Sequence, residues 1–193
     1  MSADKTIPHK TLLFPPLLLQ GPRVNIRPPC SDDKHHWLSV RAENRAYLEP
    51  FEPRWETDCL TEQYFSRRIG FQSADWWADR HYALYIEEAK TAALIGGINL
   101  NYIARGSAQF CSLGYWIAES RQGQGLMQES LSLVLDWANR GLKLRRINAA
   151  TLLDNGRSQR LLERLGFQHE GMAPKYLEIN GEWQDHLLFG KVF

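Results

Sequence analysis

The sequence predicts a mixed α/β (α+β) fold, and three observations carry the prediction. Between His81 and Ile117, runs of alternating aromatic and branched residues are joined by short polar turns, the pattern of an antiparallel meander. On either side of that region apolar residues recur at helical spacing, in 31–45, 61–72 and 126–138. After Arg146 the order becomes strand, helix, strand and strand, the last two flanking Asn180-Gly181, a turn that needs positive φ angles.

Each element has a local cause. Arg23 to Arg27 alternates as an opening strand does, and Pro28-Pro29 ends it. Ser31, Asp32 and Asp33 supply a capping hydroxyl and first-turn acids for a helix running to about Arg45. Pro50 and Pro53 exclude regular structure between Tyr47 and Leu60, which leaves Phe51 and Trp55 on a loop. A second helix, from Thr61 to Gln72, carries Tyr64, Phe65, Arg68 and Ile69 at helical spacing. Strands follow at 81–87, 93–103 and 108–117. Leu126, Ser130, Leu131, Val134, Leu135 and Ala138 then mark the buried stripe of a helix that Gly141 stops. Arg146 to Leu152 is a strand, and Asp154-Asn155 caps a short helix with Leu161, Leu162 and Leu165 inward and Gly166 at its exit. The segments 176–179 and 183–189 form the closing hairpin.

Composition narrows the function classes. A chain of 193 residues without a linker-like stretch reads as a single domain, 1–193, with an irregular segment at 1–20. A formal charge of +1 gives no global field for nucleic acid. Cys30, Cys59 and Cys111 are odd in number and widely spaced, which argues against a disulfide framework and a zinc site and for a cytoplasmic location. The apolar run Leu12 to Leu19, after Lys5 and Lys10, is split by Pro15-Pro16 and lacks a cleavage site, so it does not read as a signal peptide. No run reaches the roughly 20 apolar residues of a membrane span.

The chemistry centres on Leu113 to Met127, where an apolar strand feeds a polar turn holding Gly123 and Gly125 and then a helix. Such a turn gathers free backbone N–H groups at one point, and the helix dipole adds partial positive charge, so it binds phosphate. A nucleotide P-loop would follow Gly125 with Lys and then Ser or Thr, whereas Leu126-Met127 stand there. A dinucleotide fingerprint needs a third glycine at Gln128 and a place in a first βαβ unit.

The third glycine pattern is that of the GNAT (GCN5-related) N-acetyltransferases. Segments 42–50 (Ala-Glu-Asn-Arg-Ala-Tyr-Leu-Glu-Pro), 113–117 (Leu-Gly-Tyr-Trp-Ile), 122–127 (Gln-Gly-Gln-Gly-Leu-Met) and 155–158 (Asn-Gly-Arg-Ser) occur in order. They are followed by 165–171 (Leu-Gly-Phe-Gln-His-Glu-Gly) and 179–186 (Ile-Asn-Gly-Glu-Trp-Gln-Asp-His). With these segments the chain resembles that superfamily from Arg23 onward. Within it, the chain resembles the ribosomal-protein-alanine N-acetyltransferase subgroup, in the pattern of the enzyme acting on the fifth small-subunit ribosomal protein.

The resemblance implies a mostly antiparallel sheet with one splayed parallel strand pair and helices on both faces. It implies acetyl-CoA as co-substrate, no metal, and acetyl transfer to the N-terminal alanine α-amino group of a small-subunit ribosomal protein. The pantetheine arm would lie on backbone groups of Tyr115, Trp116 and Ile117, with Asn155 in contact. The pyrophosphate would sit on Gln122, Gly123, Gln124, Gly125, Leu126 and Met127. Ser120 and Gln124 depart from the charged residues common in this loop, so Arg121 and Arg157 are the candidates to compensate the phosphates. Ser158 would donate a hydrogen bond to the leaving thiolate, although Asn155 and Ser158 are also good capping residues. Ser112 stands where some relatives place a strand glutamate, so Glu43 is the first choice of general base, with Glu119, Asp185 or a water chain as alternatives. Phe51, Trp55, Tyr176 and Trp183 would line the peptide channel, and His186 reads as a structural histidine.

The implied partners are a ribosomal protein N-terminus and, through Lys143, Arg145 and Arg146, ribosomal RNA by weak contact; no membrane is expected, and the enzyme would be a monomer or homodimer. Two other functions fit the same cofactor: acetylation of a small amine (an aminoglycoside, a polyamine or an amino-acid adduct), and non-catalytic acetyl-CoA binding in ribosome assembly.

Overall fold

The computed structural model describes residues 13–193, so Lys5, Lys10 and the start of the apolar run at Leu12 lie outside it. Strands β1 (Leu19–Gln20), β2 (Val24–Arg27), β3 (Tyr82–Glu88), β4 (Leu94–Ala104), β5 (Phe110–Ile117), β6 (Arg146–Leu152), β7 (Gln168–Ile179) and β8 (Glu182–Val192) form one sheet. Their order across it is β1-β2-β3-β4-β5-β6-β8-β7. Among the described residues only β5 and β6 run parallel; the other neighbours are antiparallel.

Among the described residues five α-helices cover the two faces: α1 (Lys34–Glu43), α2 (Arg45–Leu48), α3 (Glu62–Trp77), α4 (Leu126–Arg140) and α5 (Gly156–Arg164). Because side chains alternate along a strand, Leu84 and Ile86 point to one side and Tyr85 to the other. On the first side Leu84, Ile98, Leu100, Leu113 and Ile147 pack with Leu131 and Val134 of α4 and Leu161 and Leu162 of α5. On the second, Tyr85 packs with Trp37 and Val40 of α1 and Phe65 and Ile69 of α3.

The expected order of elements holds, with four adjustments. The segment expected to be irregular up to residue 20 ends in β1, because a turn closed by Gly21 N–H donating to Val24 C=O (2.8 Å) folds Leu19–Gln20 back on Ile26 and Asn25. The helix expected over 31–45 is a 3-10 turn (Ser31–Asp33), then α1, a break at Asn44 (φ −106°, ψ 11°) and α2. Helix α3 runs on to Trp77, since Trp76 completes an aromatic cluster with Phe14, Tyr82 and Trp137. Strand β7 begins at Gln168 instead of Tyr176; register shifts at His169/Gly171 and Ala173/Leu177 break the alternation that would mark a long strand. The tight turn has the positive φ angles that its residues suggest, 49° at Asn180 and 86° at Gly181.

Candidate active site

The parallel pair supplies the opening. Strands β5 and β6 are in register from Phe110↔Arg146 to Leu113↔Ala149 and then separate, although β5 continues to Ile117 and β6 to Leu152. The edge of Gly114 to Ile117 that faces β6 therefore has no strand partner, while its other edge stays paired with β4. The resulting wedge belongs to a cleft of ≈ 1520 Å³ that also takes in the loop before α4, the first turns of α5 and the β7–β8 hairpin.

The loop before α4 is built by its glycines. Gly123 (φ 69°) and Gly125 (φ 74°) are in the left-handed region, which other residues enter only with strain. Gly125 is also the residue that precedes the first turn of α4, so no side chain caps the helix and its N–H groups stay open to the cleft. A Cβ at Gly123 would meet nothing within 4 Å, so the space above it is free. Arginines surround this loop. Arg157 donates to Gln122 Oε1 (2.6 Å), tying α5 to it, and Arg121 reaches Glu88 (3.3 Å). Arg23 donates to Gln124 C=O (2.8 Å) and pairs with Glu129 (2.7 Å).

Three hydroxyl-bearing residues line the wedge. The Tyr115 phenol is 2.6 Å from Ser158 Oγ, and the Ser158 backbone N–H is capped by Asn155 Oδ1 at 3.1 Å. Burial pushes the Tyr115 phenol up to about 12, which the Ser158 hydrogen bond only partly offsets, so it is protonated at neutral pH. The third hydroxyl, Thr151 on β6, also lines the cleft, and its Oγ1 is buried without a hydrogen-bond partner among the described residues.

On the opposite face of β5, Trp116 is held by a different set of contacts. The buried Arg41 guanidinium lies 5.0 Å from the Trp116 ring and 4.2 Å from that of Trp55, and it forms a bidentate pair with Glu52. Glu52 also accepts from Trp55 Nε1 (2.8 Å), and its backbone C=O accepts from the Asn180 N–H (2.8 Å), joining the loop after α2 to the hairpin turn. Asn44, buried at the break between α1 and α2, accepts from the Glu119 N–H (2.8 Å) and donates to Val40 C=O (2.8 Å). Gly97 lies beside Trp116 on β4; a Cβ there would be 2.7 Å from Trp116 Nε1.

Most of the expected cofactor residues share this cleft. Tyr115, Trp116, Ile117, Arg121, Gln122, Gly123, Gly125, Leu126, Met127, Asn155, Arg157 and Ser158 line it, and Gln124 turns its amide to Ser120 C=O (3.0 Å). Of the four channel aromatics, Phe51 and Tyr176 line the cleft, whereas Trp55 is engaged with Glu52 and Trp183 is 62% exposed outside it. Glu43 is not brought to the cleft: it is exposed and accepts from Ser39 (2.7 Å), because α1 turns it outward and its neighbour Asn44 inward. Asp185 accepts from the Lys175 N–H (2.8 Å), and Glu119 lines the cleft beside the loop. His186, expected to be structural, is 2% exposed with Nδ1 2.9 Å from Gln184 C=O, and it also lines the cleft. Lys143 and Arg145 are exposed, but Arg146 folds onto the sheet and pairs with Glu170.

Sequence reasoning missed Asn44, Arg41, Glu52, Thr151, Arg160 and Arg164. The last two line the cleft with Arg157, and their i, i+3, i+7 spacing was a readable sign of one basic helix face. Among the described residues no group of three or more His, Cys, Asp or Glu could hold a metal.

Residues 23–168 match the family model described as an acetyltransferase (GNAT) domain. The chain is 36% identical over 169 residues to the probable N-acetyltransferase YjcK of Bacillus subtilis, covering 88% of this chain and 93% of the relative. It is 34% identical over 175 residues to the [ribosomal protein uS5]-alanine N-acetyltransferase of Escherichia coli, with 90% of each covered. The crystal structure of the ribosomal-protein-S5-alanine acetyltransferase of Vibrio fischeri superposes with a TM-score of 0.86 at 27% identity, covering 92% of this chain and 97% of the other. Mycobacterium smegmatis RimJ in complex with CoA-disulfide gives 0.83 at 28%, covering 88% and 81%.

Proposed function

The chain belongs to the GNAT acetyltransferase family, and on that premise we propose that it acetylates the N-terminal α-amino group of a small-subunit ribosomal protein, alanine being the first residue. The observation that carries the reading is the splay of β5 from β6 beside the open glycine loop, one continuous cleft with a phosphate cradle at one end and a half-buried hydroxyl pair at the other. The residues fit acetyl-CoA: the uncapped first turn of α4 and the free space above Gly123 suit its pyrophosphate, and the unpaired edge of Gly114–Ile117 suits its amide-bearing arm. Arg157, Arg160 and Arg164 supply the positive charge that Ser120 and Gln124 do not.

Acetyl-CoA supplies an activated acyl group on a thiol leaving group. The protein holds it against the wedge and excludes water with the apolar walls around Leu113 and Leu161. Both hydroxyls are protonated at neutral pH, and in the arrangement in which Tyr115 donates to Ser158 Oγ the Ser158 proton is left for the departing sulfur. An α-amine has a pKa of roughly 8, so it needs only a weak base. With Glu43 facing away, a water relay at the cleft mouth removes that proton. The likeness to the uS5-alanine enzyme over nine-tenths of both chains supports a ribosomal protein as acceptor. Lys143 and Arg145 stay exposed for a weak RNA contact.

The test is to follow thiol release from acetyl-CoA with peptides beginning Ala, Ser or Met beside a panel of aminoglycosides, polyamines and amino-acid adducts. Turnover on Ala-first peptides is expected. Turnover on small amines alone would sink the peptide reading, and tight acetyl-CoA binding without turnover would point to a non-catalytic binder.

A further inference from the structure

Thr151 is not accounted for by the fold. It lies on β6, two residues beyond the last pair that β6 makes with β5, Leu113↔Ala149. Alternation therefore sets Thr151 and Tyr115 on the same face of the sheet, on opposite banks of the wedge. Its residue is 3% exposed, and its hydroxyl oxygen has no partner among the described residues, although it lines the cleft. A buried hydroxyl left unpaired is destabilising, and valine would fill the same volume without that penalty. The other two hydroxyls at the wedge pair with each other, Tyr115 with Ser158, and Thr151 Oγ1 makes no hydrogen bond to either.

We propose that the Thr151 hydroxyl is a binding contact for the coenzyme, hydrogen-bonded to an amide of the pantetheine arm where it passes between β5 and β6. The assignment rests on the acetyl-CoA reading above. A threonine hydroxyl both donates and accepts, so it matches either the C=O or the N–H of such an amide. The neighbouring positions of β6 do not offer this: Ala150 and Leu152 face the other side, and Ala149 has no polar atom. The contact bears on holding the arm, not on the reacting carbonyl.

The experiment compares wild type, Thr151→Val and Thr151→Ser by calorimetric binding of acetyl-CoA and of adenosine 3′,5′-bisphosphate, which lacks the arm, and by turnover at saturating acetyl-CoA. Thr151→Val should weaken acetyl-CoA about threefold to tenfold, the range of one neutral hydrogen bond. It should leave the bisphosphate affinity and the saturated rate within twofold of wild type, and Thr151→Ser should restore acetyl-CoA binding. Unchanged acetyl-CoA affinity in Thr151→Val overturns the proposal, as does equal weakening of both ligands, which marks a general disturbance. A fall in the saturated rate at unchanged affinity overturns it too, by moving the hydroxyl to the reacting carbonyl. Failure of wild type to bind acetyl-CoA would instead overturn the cofactor reading itself.

Discussion

The two faces of β5 are built in opposite ways. On the Tyr115 face the half we propose for the cofactor comes from short contiguous stretches, 113–127 and 155–158, whose glycines, cap and hydroxyl are neighbours in the chain. On the Trp116 face the half we propose for the acceptor is assembled from α1, the loop after α2 and the hairpin, and is tied together through Arg41, Asn44 and Glu52. A contiguous half tolerates change elsewhere in the protein. A half held by long-range pairs depends on every anchor, and its contacts leave no periodic trace in the sequence.

The largest expected effect tests the acceptor half at its root. Helix α1 is preceded by Asp33, whose buried carboxylate pairs with Arg27 (2.5 Å), itself paired with Glu87 of β3. Burial alone would raise the Asp33 carboxyl, but hydrogen bonds from Arg27 and the Cys30 N–H, with the Arg27 charge, outweigh it and hold it below its ordinary value. Asp33→Asn should lower stability by about 3 kcal/mol at pH 7, read by urea melts. A carboxyl depressed in the folded state stabilises above its unfolded pKa of about 3.9 and loses that contribution as pH falls through the folded value. The difference between wild type and variant should therefore persist from pH 7 to about 5 and shrink below 4; a pH-independent difference would remove the ionic explanation.

Next in size, Ser158→Ala tests the cofactor half. The turnover number should fall about a hundredfold while acetyl-CoA affinity changes little. A normal rate would eliminate Ser158 as the donor to the leaving thiolate.

Arg41→Ala should separate the two halves. With Glu52 and Trp55 released, KM for the peptide should rise about tenfold and acetyl-CoA affinity should hold, and Arg41→Lys should recover only part because one ammonium cannot span both Glu52 oxygens. Equal loss in both binding constants would mean the halves are one unit. The smallest effect is assigned to Glu43→Gln, which should change the rate less than twofold across pH 6–9; a large loss would restore Glu43 as base despite its outward position.

This division explains what was legible. The meander, the β5-loop-α4 transition and the Asn155 cap follow local rules of alternation, backbone freedom and capping, so residues alone located them. At 43–45 the chain marks an important segment but not which side chain matters. The acid was the natural choice, yet helical phase turns Glu43 out, and Asn44, a weak helix former that interrupts α1, turns inward to hold the backbone N–H of Glu119, which lines the cleft. Trp55 and Trp183 went the same way: loop and hairpin aromatics are recognisable as large surfaces, but which wall they join depends on long-range partners such as Glu52. The start of β7 was hidden because bulges erase the period that identifies a strand.

For anyone reshaping acceptor preference, Gly97 marks a limit that the cleft itself does not reveal. It makes no contact assigned to either ligand, yet a single added methyl would push into the Trp116 indole, which stacks with Arg41, which in turn grips Glu52. Libraries that diversify the cleft wall while leaving residue 97 as glycine keep the scaffold on which the wall rests, and even an alanine there would be felt at the far side of the molecule's mouth.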